Sequence, residues 1–157
     1  MNSAGSFFYN LILSLWIGGM SVFTFIITPV IFRAYERDMA GKIAGELFPS
    51  YFIYALVLSV LALLLLAAIR PLFVSWGFKL SMILVVCAIL INIFTVVKLH
   101  PDIKKVKKEI HSFEAPADDS PLRKKFGRLH AISAVLNLLV LADGIALLFI
   151  SSVMKRP

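Results

Sequence analysis

FFYNLILSLWIGGMSVFTFIITPVIF, residues 7–32, runs for 26 positions without a Lys, Arg, Asp or Glu. At about 1.5 Å rise per residue, roughly 20 apolar residues cross about 30 Å of hydrocarbon, so this run can span a bilayer as one helix. Three more stretches repeat the pattern: Phe48 to Ile69, Leu80 to Val97 and Leu129 to Met154, of 22, 18 and 26 residues, with Asp143 the single charge among them. With helical flanks, the spans fall at about 7–32, 48–69, 74–99 and 127–153. Hydrocarbon offers no partner to an unpaired backbone amide, so each stretch is expected to cross as a helix. The expected fold class is all-α, a four-helix transmembrane bundle with short amphipathic interfacial helices.

Apolar residues make up 60% of the chain, which leaves little for a soluble part. Residues 1–157 read as a single integral membrane domain. Met1 to Ser6 carry no basic residue, and the first apolar run is far longer than a signal peptide's, so the first helix is expected to be retained. Cys87, the one cysteine, lies within the third run, cannot pair inside the chain and says nothing of redox compartment. The absence of CxxC, HExxH, GxxxxGK[ST] and GxSxG patterns leaves zinc hydrolysis, P-loop nucleotide binding and serine-hydrolase chemistry without support.

The net charge of +7 is explained by where the charges lie. Twelve of the sixteen basic residues fall in two connections, at 33–47 and 98–128, while Arg70, Lys79, Lys155 and Arg156 flank the opposite side. The excess of Lys and Arg in cytoplasmic loops then predicts those two loops inside and both termini outside. Partners expected from this distribution are the lipid bilayer and the anionic headgroups beside the basic loops, with no nucleic acid. A homo-oligomer or a larger membrane complex stays open.

In the first span Asn10, Ser14, Gly18, Ser21, Thr24 and Thr28 advance by threes and fours, which predicts a small and polar face turned into the bundle. Pro29 predicts an interruption of helical pairing. Arg37 to Leu47, with Met39, Ile43 and Leu47 four apart, predicts a short helix lying at the interface, and Phe48, Tyr51, Phe52 and Tyr54 an aromatic belt beyond it. Arg70-Pro71 marks a tight connection, with Trp76 at headgroup level and Lys79 snorkelling past it. A second surface helix is expected after His100-Pro101, from Ile103, Val106 and Ile110, then a turn over Ala115 to Ser120. Ser120-Pro121 predicts the cap and first residue of the last helix. No internal repeat is visible.

Chemistry must come from the few polar groups in or beside the spans. His100 ends the third span and His130 begins the fourth, so two imidazoles can lie at similar depth and ligate a haem iron or a transition metal; the plainer reading is that each sits at the interface hydrogen-bonded to backbone or water. Ser133 and Asn137 share the helical face of His130. That face can hold a cofactor edge or headgroup, relay a proton, or bond Asn92 and Thr95 across the interface. Asp143 lies near mid-depth and needs a partner or a proton, with Lys79 the nearest basic candidate and Asn10 a further polar group for an ion or proton role. His111 reads as a solvated loop residue.

Trp16-Ile17-Gly18-Gly19, Thr28-Pro29-Val30-Ile31-Phe32, Gly45-Glu46-Leu47-Phe48-Pro49-Ser50-Tyr51-Phe52, His100-Pro101 and Phe126-Gly127-Arg128-Leu129-His130-Ala131-Ile132-Ser133 with Asn137 together resemble the family called domain of unknown function 4149, of the transmembrane protein 205 kind. That resemblance spans nearly the whole chain. It implies a bundle in the bacterial cytoplasmic (inner) membrane, with links to metal or drug tolerance through eukaryotic relatives. Trp16, Gly18, Pro29 and Phe32, and Trp76 with Lys79-Leu80, are more distantly similar to patches of copper-resistance D-type proteins and haem-binding membrane protoporphyrinogen oxidases. Where that oxidase family has a histidine early in helix one, this chain has Asn10. The function expected is a small membrane protein that binds or passes a small cofactor or cation, haem b or copper, or serves a larger complex as an accessory subunit. The alternative is a haem-dependent oxidoreductase acting on porphyrin or quinone.

Overall fold

A computed structural model describes residues 3–68, 75–110 and 121–153. Apart from short connections these residues are helical throughout: α1 (Ser3–Val22), α2 (Thr28–Ala34), α3 (Arg37–Ala68), α4 (Ser75–Phe94), α5 (His100–Glu109) and α6 (Pro121–Val153). A π-helical turn over Phe23–Ile27 joins α1 to α2, and another over Thr95–Leu99 joins α4 to α5. Four spans result, Ala4–Ala34, Arg37–Ala68, Trp76–Glu109 and Pro121–Val153, each long and apolar enough to cross a membrane. The chain is a multi-pass membrane bundle.

Each span packs on two others in a closed square. α3 lies against α1 and α4, and α6 completes the square against the same two helices. The buried positions recur at helical spacing: Tyr9, Leu13, Trp16 and Met20 in the first span, Ala55, Ser59, Ala62 and Leu66 in the second, Ser81, Val85, Ala88 and Asn92 in the third, and Val140, Gly144, Leu147 and Ser151 in the fourth. The opposite faces are apolar and bare, with Leu64 at 61%, Leu90 at 60% and Phe149 at 64% exposure. Water does not tolerate so wide an apolar surface, and lipid tails do.

The first span turns a different face inward from the one its small residues suggested. Ser14 and Gly18 are exposed, while Asn10, Ser21, Thr24 and Thr28 are half-buried at the margin. The large side chains win the interior because dispersion contacts, rather than a gain over lipid in hydrophobicity, drive packing inside a bilayer. Trp16 is fully buried and its Nε1 donates to the Met20 sulfur at 2.9 Å. Gly19, beside the expected face, is the glycine that packing requires. A Cβ there would fall on the Tyr54 ring, whose hydroxyl donates to the Leu15 carbonyl at 2.6 Å.

The expected interfacial segments are helical, but they extend the spans instead of lying apart from them. Arg37 to Leu47 runs unbroken into α3, through Pro49, and its inward positions are Ala40 and Ala44, with Met39 and Leu47 exposed. α5 continues α4 through the π turn, with Val106 buried. Both π turns sit just before a proline. Pro29 and Pro101 lack the N–H that would bond Phe25 and Val97, and a widened turn closes instead on Phe23 from the Thr28 N–H and on Thr95 from the His100 N–H. The Thr28 hydroxyl adds a second bond to the Phe23 carbonyl at 2.9 Å.

α6 begins at Pro121, several turns before its apolar run, as the proline predicted. Arg70-Pro71, the turn at Ala115 to Ser120, the Ser120 cap and His111 lie outside the described residues.

Gly19→Ala is expected to lose about 1–3 kcal/mol of stability by displacing Tyr54, whereas Gly18→Ala, whose new methyl meets open space, should change little. Thermal unfolding of both in mild detergent checks this, and equal losses would contradict the assigned face.

Candidate functional site

Three helices are tied together by one small polar knot. The Tyr51 hydroxyl of α3 donates to Asn137 Oδ1 of α6 at 2.5 Å, and Asn137 Nδ2 donates to Thr24 Oγ1 in the first π turn at 2.9 Å. Thr24 Oγ1 and the Tyr51 hydroxyl stand 3.4 Å apart, closing the ring. A hydrogen bond between helices in lipid has no water competing for it, although its measured worth stays near about 1 kcal/mol. The knot therefore fixes geometry more than it adds stability.

Aromatic rings pack around it. Phe23 stacks on Tyr51 with centroids 4.1 Å apart, and Phe48 stacks on Phe52 at 5.7 Å. Tyr51 and Phe52 are buried, so these residues form an inward cluster in place of the outward belt that their position suggested. Tyr54 alone of that group is exposed.

A cavity of about 430 Å³ opens beyond this cluster, at the end of the bundle that carries most of the basic residues. Its size lies within the roughly 300–1,000 Å³ of ligand sites. Phe48, Phe52, Phe126, His100, His130 and Ser133 line its inner part. His100 meets Phe52 edge-on at 6.0 Å, and His130 stacks flat on Phe126 at 6.0 Å. A smaller recess of about 100 Å³ shares Phe48, Phe52, His130 and Ser133 with the cavity and ends at Thr24, Tyr51 and Asn137.

The structure thus brings His100, His130 and Ser133 to one cavity and sets Asn137 at the back of its recess. Neither imidazole has a hydrogen-bond partner among the described residues, so both nitrogens of each ring remain available. Among the described residues, no three His, Cys, Asp or Glu side chains gather as a metal site. Asn137 bonds helices one and two, where Asn92 and Thr95 of helix three had been candidate partners. The Thr95 hydroxyl donates to its own helix at Ile91, and buried Asn92 Nδ2 has no partner among the described residues.

The other three candidates lie elsewhere. Asn10 Oδ1 accepts from the Ser151 hydroxyl at 2.6 Å, joining α1 to α6 near the termini. Lys79 is exposed, Asp143 is half-buried, and no ion pair or hydrogen bond holds Asp143 among the described residues, so the expected pairing is not formed. Lys79, Asp143 and Asn10 are not among the residues that line the cavity or its recess.

Tyr51, Thr24 and Lys107 are the residues that sequence reasoning placed in other roles. Lys107 stood in a lysine-rich loop, yet it is half-buried, lines the cavity and donates from Nζ to the Gly41 carbonyl of α3. Its place four residues after Ile103 and one after Val106, on a segment whose helix is continuous with the span, was the available signal.

Residues 11–112 match the family described as domain of unknown function (DUF4149). An uncharacterized protein of Aquifex aeolicus (strain VF5) is 34% identical over 90 residues, which cover 57% of this chain and 64% of that protein. The aligned stretch thus spans less than two thirds of that relative's length. No solved structure matches significantly.

Asn137→Leu should strand the Tyr51 and Thr24 hydroxyls and lower stability by about 1–3 kcal/mol, while Asn92→Leu, which removes an unpaired buried amide, should be neutral or stabilising. Asp143→Asn and Asp143→Leu should both be tolerated, because neither strands a partner among the described residues. Unfolding midpoints of the four variants decide, and an Asp143→Leu loss as large as that of Asn137→Leu would show a partner for Asp143.

Proposed function

Because the chain belongs to the family of domain of unknown function (DUF4149), whose name assigns no activity, function is read from the cavity, and we propose that this protein binds a small amphiphilic cofactor of the haem type there. The observation that carries the reading is the convergence of His100 and His130 on one aromatic-lined cavity. Haem suits such a lining on three counts. His100 and His130 would supply the two protein ligands that a haem iron can take, whereas a copper ion bound by protein alone usually takes three or four. Phe48, Phe52 and Phe126 offer apolar surface to a flat macrocycle, and the lysines at the mouth offer partners to its carboxylates. The cofactor would bring redox chemistry. The chain's own residues would seat it, shield it from water and, through Ser133, offer a hydroxyl beside the His130 side of the cavity.

The same reading places the basic end toward the cytoplasm of a bacterial inner membrane, with both termini outside, in line with the twelve basic residues of its loops. A cofactor or its precursor would then enter from the cytoplasmic leaflet. A route for protons or cations through Asp143 receives no support from the lining residues.

Protein expressed with added haem and purified in mild detergent is expected to show a Soret band that shifts on reduction. His100→Ala and His130→Ala should each abolish or move it, and His111→Ala should leave it unchanged. A protein that stays colourless would overturn the cofactor reading. For orientation, on a Cys87→Ser background an impermeant thiol reagent should label Lys155→Cys in intact cells and spare Lys124→Cys; the reverse pattern inverts the topology.

A further inference from the structure

Lys42, Lys104, Lys107 and Lys108 line the mouth of the cavity against two carboxylates, Asp38 and Glu46, a net excess of positive charge with the histidines neutral. Three of the lysines are exposed; Lys107 is not. Its ammonium reaches across from α5 to α3 and rests on the Gly41 carbonyl, and it is the first group that a Cβ on Gly41 or Gly45 would meet, at 3.1 and 3.8 Å. Glycine at 41 makes the room that the ammonium occupies, while a methyl at 45 would meet it in ordinary contact. The Gly41 carbonyl is neutral and, inside a helix, already accepts the amide four residues on, so the ammonium holds there a shared, uncharged acceptor. An anionic oxygen would hold it more strongly, since it adds the attraction of opposite charges to the hydrogen bond. Asp38, at the start of α3, lines the same mouth. Directly inward lie Phe48, Phe52 and Phe126. Cations at the mouth and phenyl rings behind them match a molecule with an acid head and an apolar body.

We propose that this mouth is a binding site for the phosphate or carboxylate head of an amphiphile, gripped by Lys107 after it leaves the Gly41 carbonyl. The inference rests on the cavity being a ligand site, and it does not depend on either histidine. The lysines begin where the apolar runs end, which is the depth of the bilayer's own headgroups. An acidic phospholipid and a free phosphate compound share the required chemistry, and the test separates them.

The full chain is reconstituted in nanodiscs of mixed phosphatidylglycerol and phosphatidylcholine, and the lipid kept after transfer to detergent is counted by native mass spectrometry. Retention of phosphatidylglycerol over phosphatidylcholine is expected, falling about tenfold in Lys107→Met, persisting in Lys107→Arg and unchanged in Lys105→Met, whose residue does not line the cavity. Should Lys107→Met fail to fold, Lys104→Met, with no hydrogen bond to lose among the described residues, serves in its place and should lower retention severalfold. Displacement of the lipid by millimolar inorganic phosphate assigns the site to a soluble phosphate compound, and resistance assigns it to the bilayer lipid; either supports the anion site. Equal retention of the two lipids, or a Lys105→Met loss as large as that of Lys107→Met, overturns it. A colourless protein with Lys107-dependent retention fails the cofactor reading alone, and a haem-loaded protein without that dependence fails this one alone.

Discussion

Hydrocarbon cannot pair a backbone amide or carbonyl, and the basic end of this bundle is built around three places where a proline breaks the pairing. Pro29, Pro49 and Pro101 withdraw donors from Phe25, Gly45 and Val97, one in each of the first three spans. Two of the breaks are absorbed by π turns, with the Thr28 hydroxyl adding a bond at the first. The third leaves the carbonyl of Gly45, a residue that lines the cavity, without its helical donor. The fourth span has no proline within it, and it carries the amide that closes the polar knot. Irregular backbone at membrane depth survives where protein or an internal cavity receives it, and here it borders both.

The two ends of the square serve different needs. Toward the termini the polar groups are few, Asn10 bonded to Ser151 and the buried Ser6 and Ser81 hydroxyls without a hydrogen-bond partner among the described residues, around a tight interior of Trp16, Leu66 and Leu147. Toward the basic end, small residues such as Ala40, Ala44 and Gly41 keep α3 slim, so that α5 and the start of α6 enclose space instead of filling it. The aromatic cluster of Phe23, Phe48, Tyr51 and Phe52 divides the two regimes.

Length and charge alone located the four spans, because only helices of that length satisfy their own backbone in lipid. The helix that each amphipathic segment would join was less legible. Arg37 to Leu47 and His100 to Glu109 look like separate surface helices because charge resumes there, yet the helix runs on unbroken from Arg37, and the break at Pro101 is taken up by the π turn before it. Face assignment failed in the first span because small residues and large residues share the same periodicity, offset by a few positions. The convergence of His100, His130 and Ser133 followed from adjacency of the third and fourth spans. The role of Tyr51 did not, since an aromatic near a membrane boundary points outward or inward according to neighbours that a linear reading cannot supply.

The polar knot also bears on the order in which the bundle assembles. Tyr51 and Asn137 are 86 residues apart, Thr24 and Asn137 are 113 apart, and Asn10 and Ser151 are 141 apart. Every one of these bonds waits for the last helix. During synthesis, which proceeds from the N-terminus, the first three helices enter the membrane with Thr24, Tyr51 and Asn10 still lacking their final partners. Those groups give the fourth helix a reason to dock in one register, and until it arrives they mark the unfinished protein to any quality-control protease that patrols the bilayer.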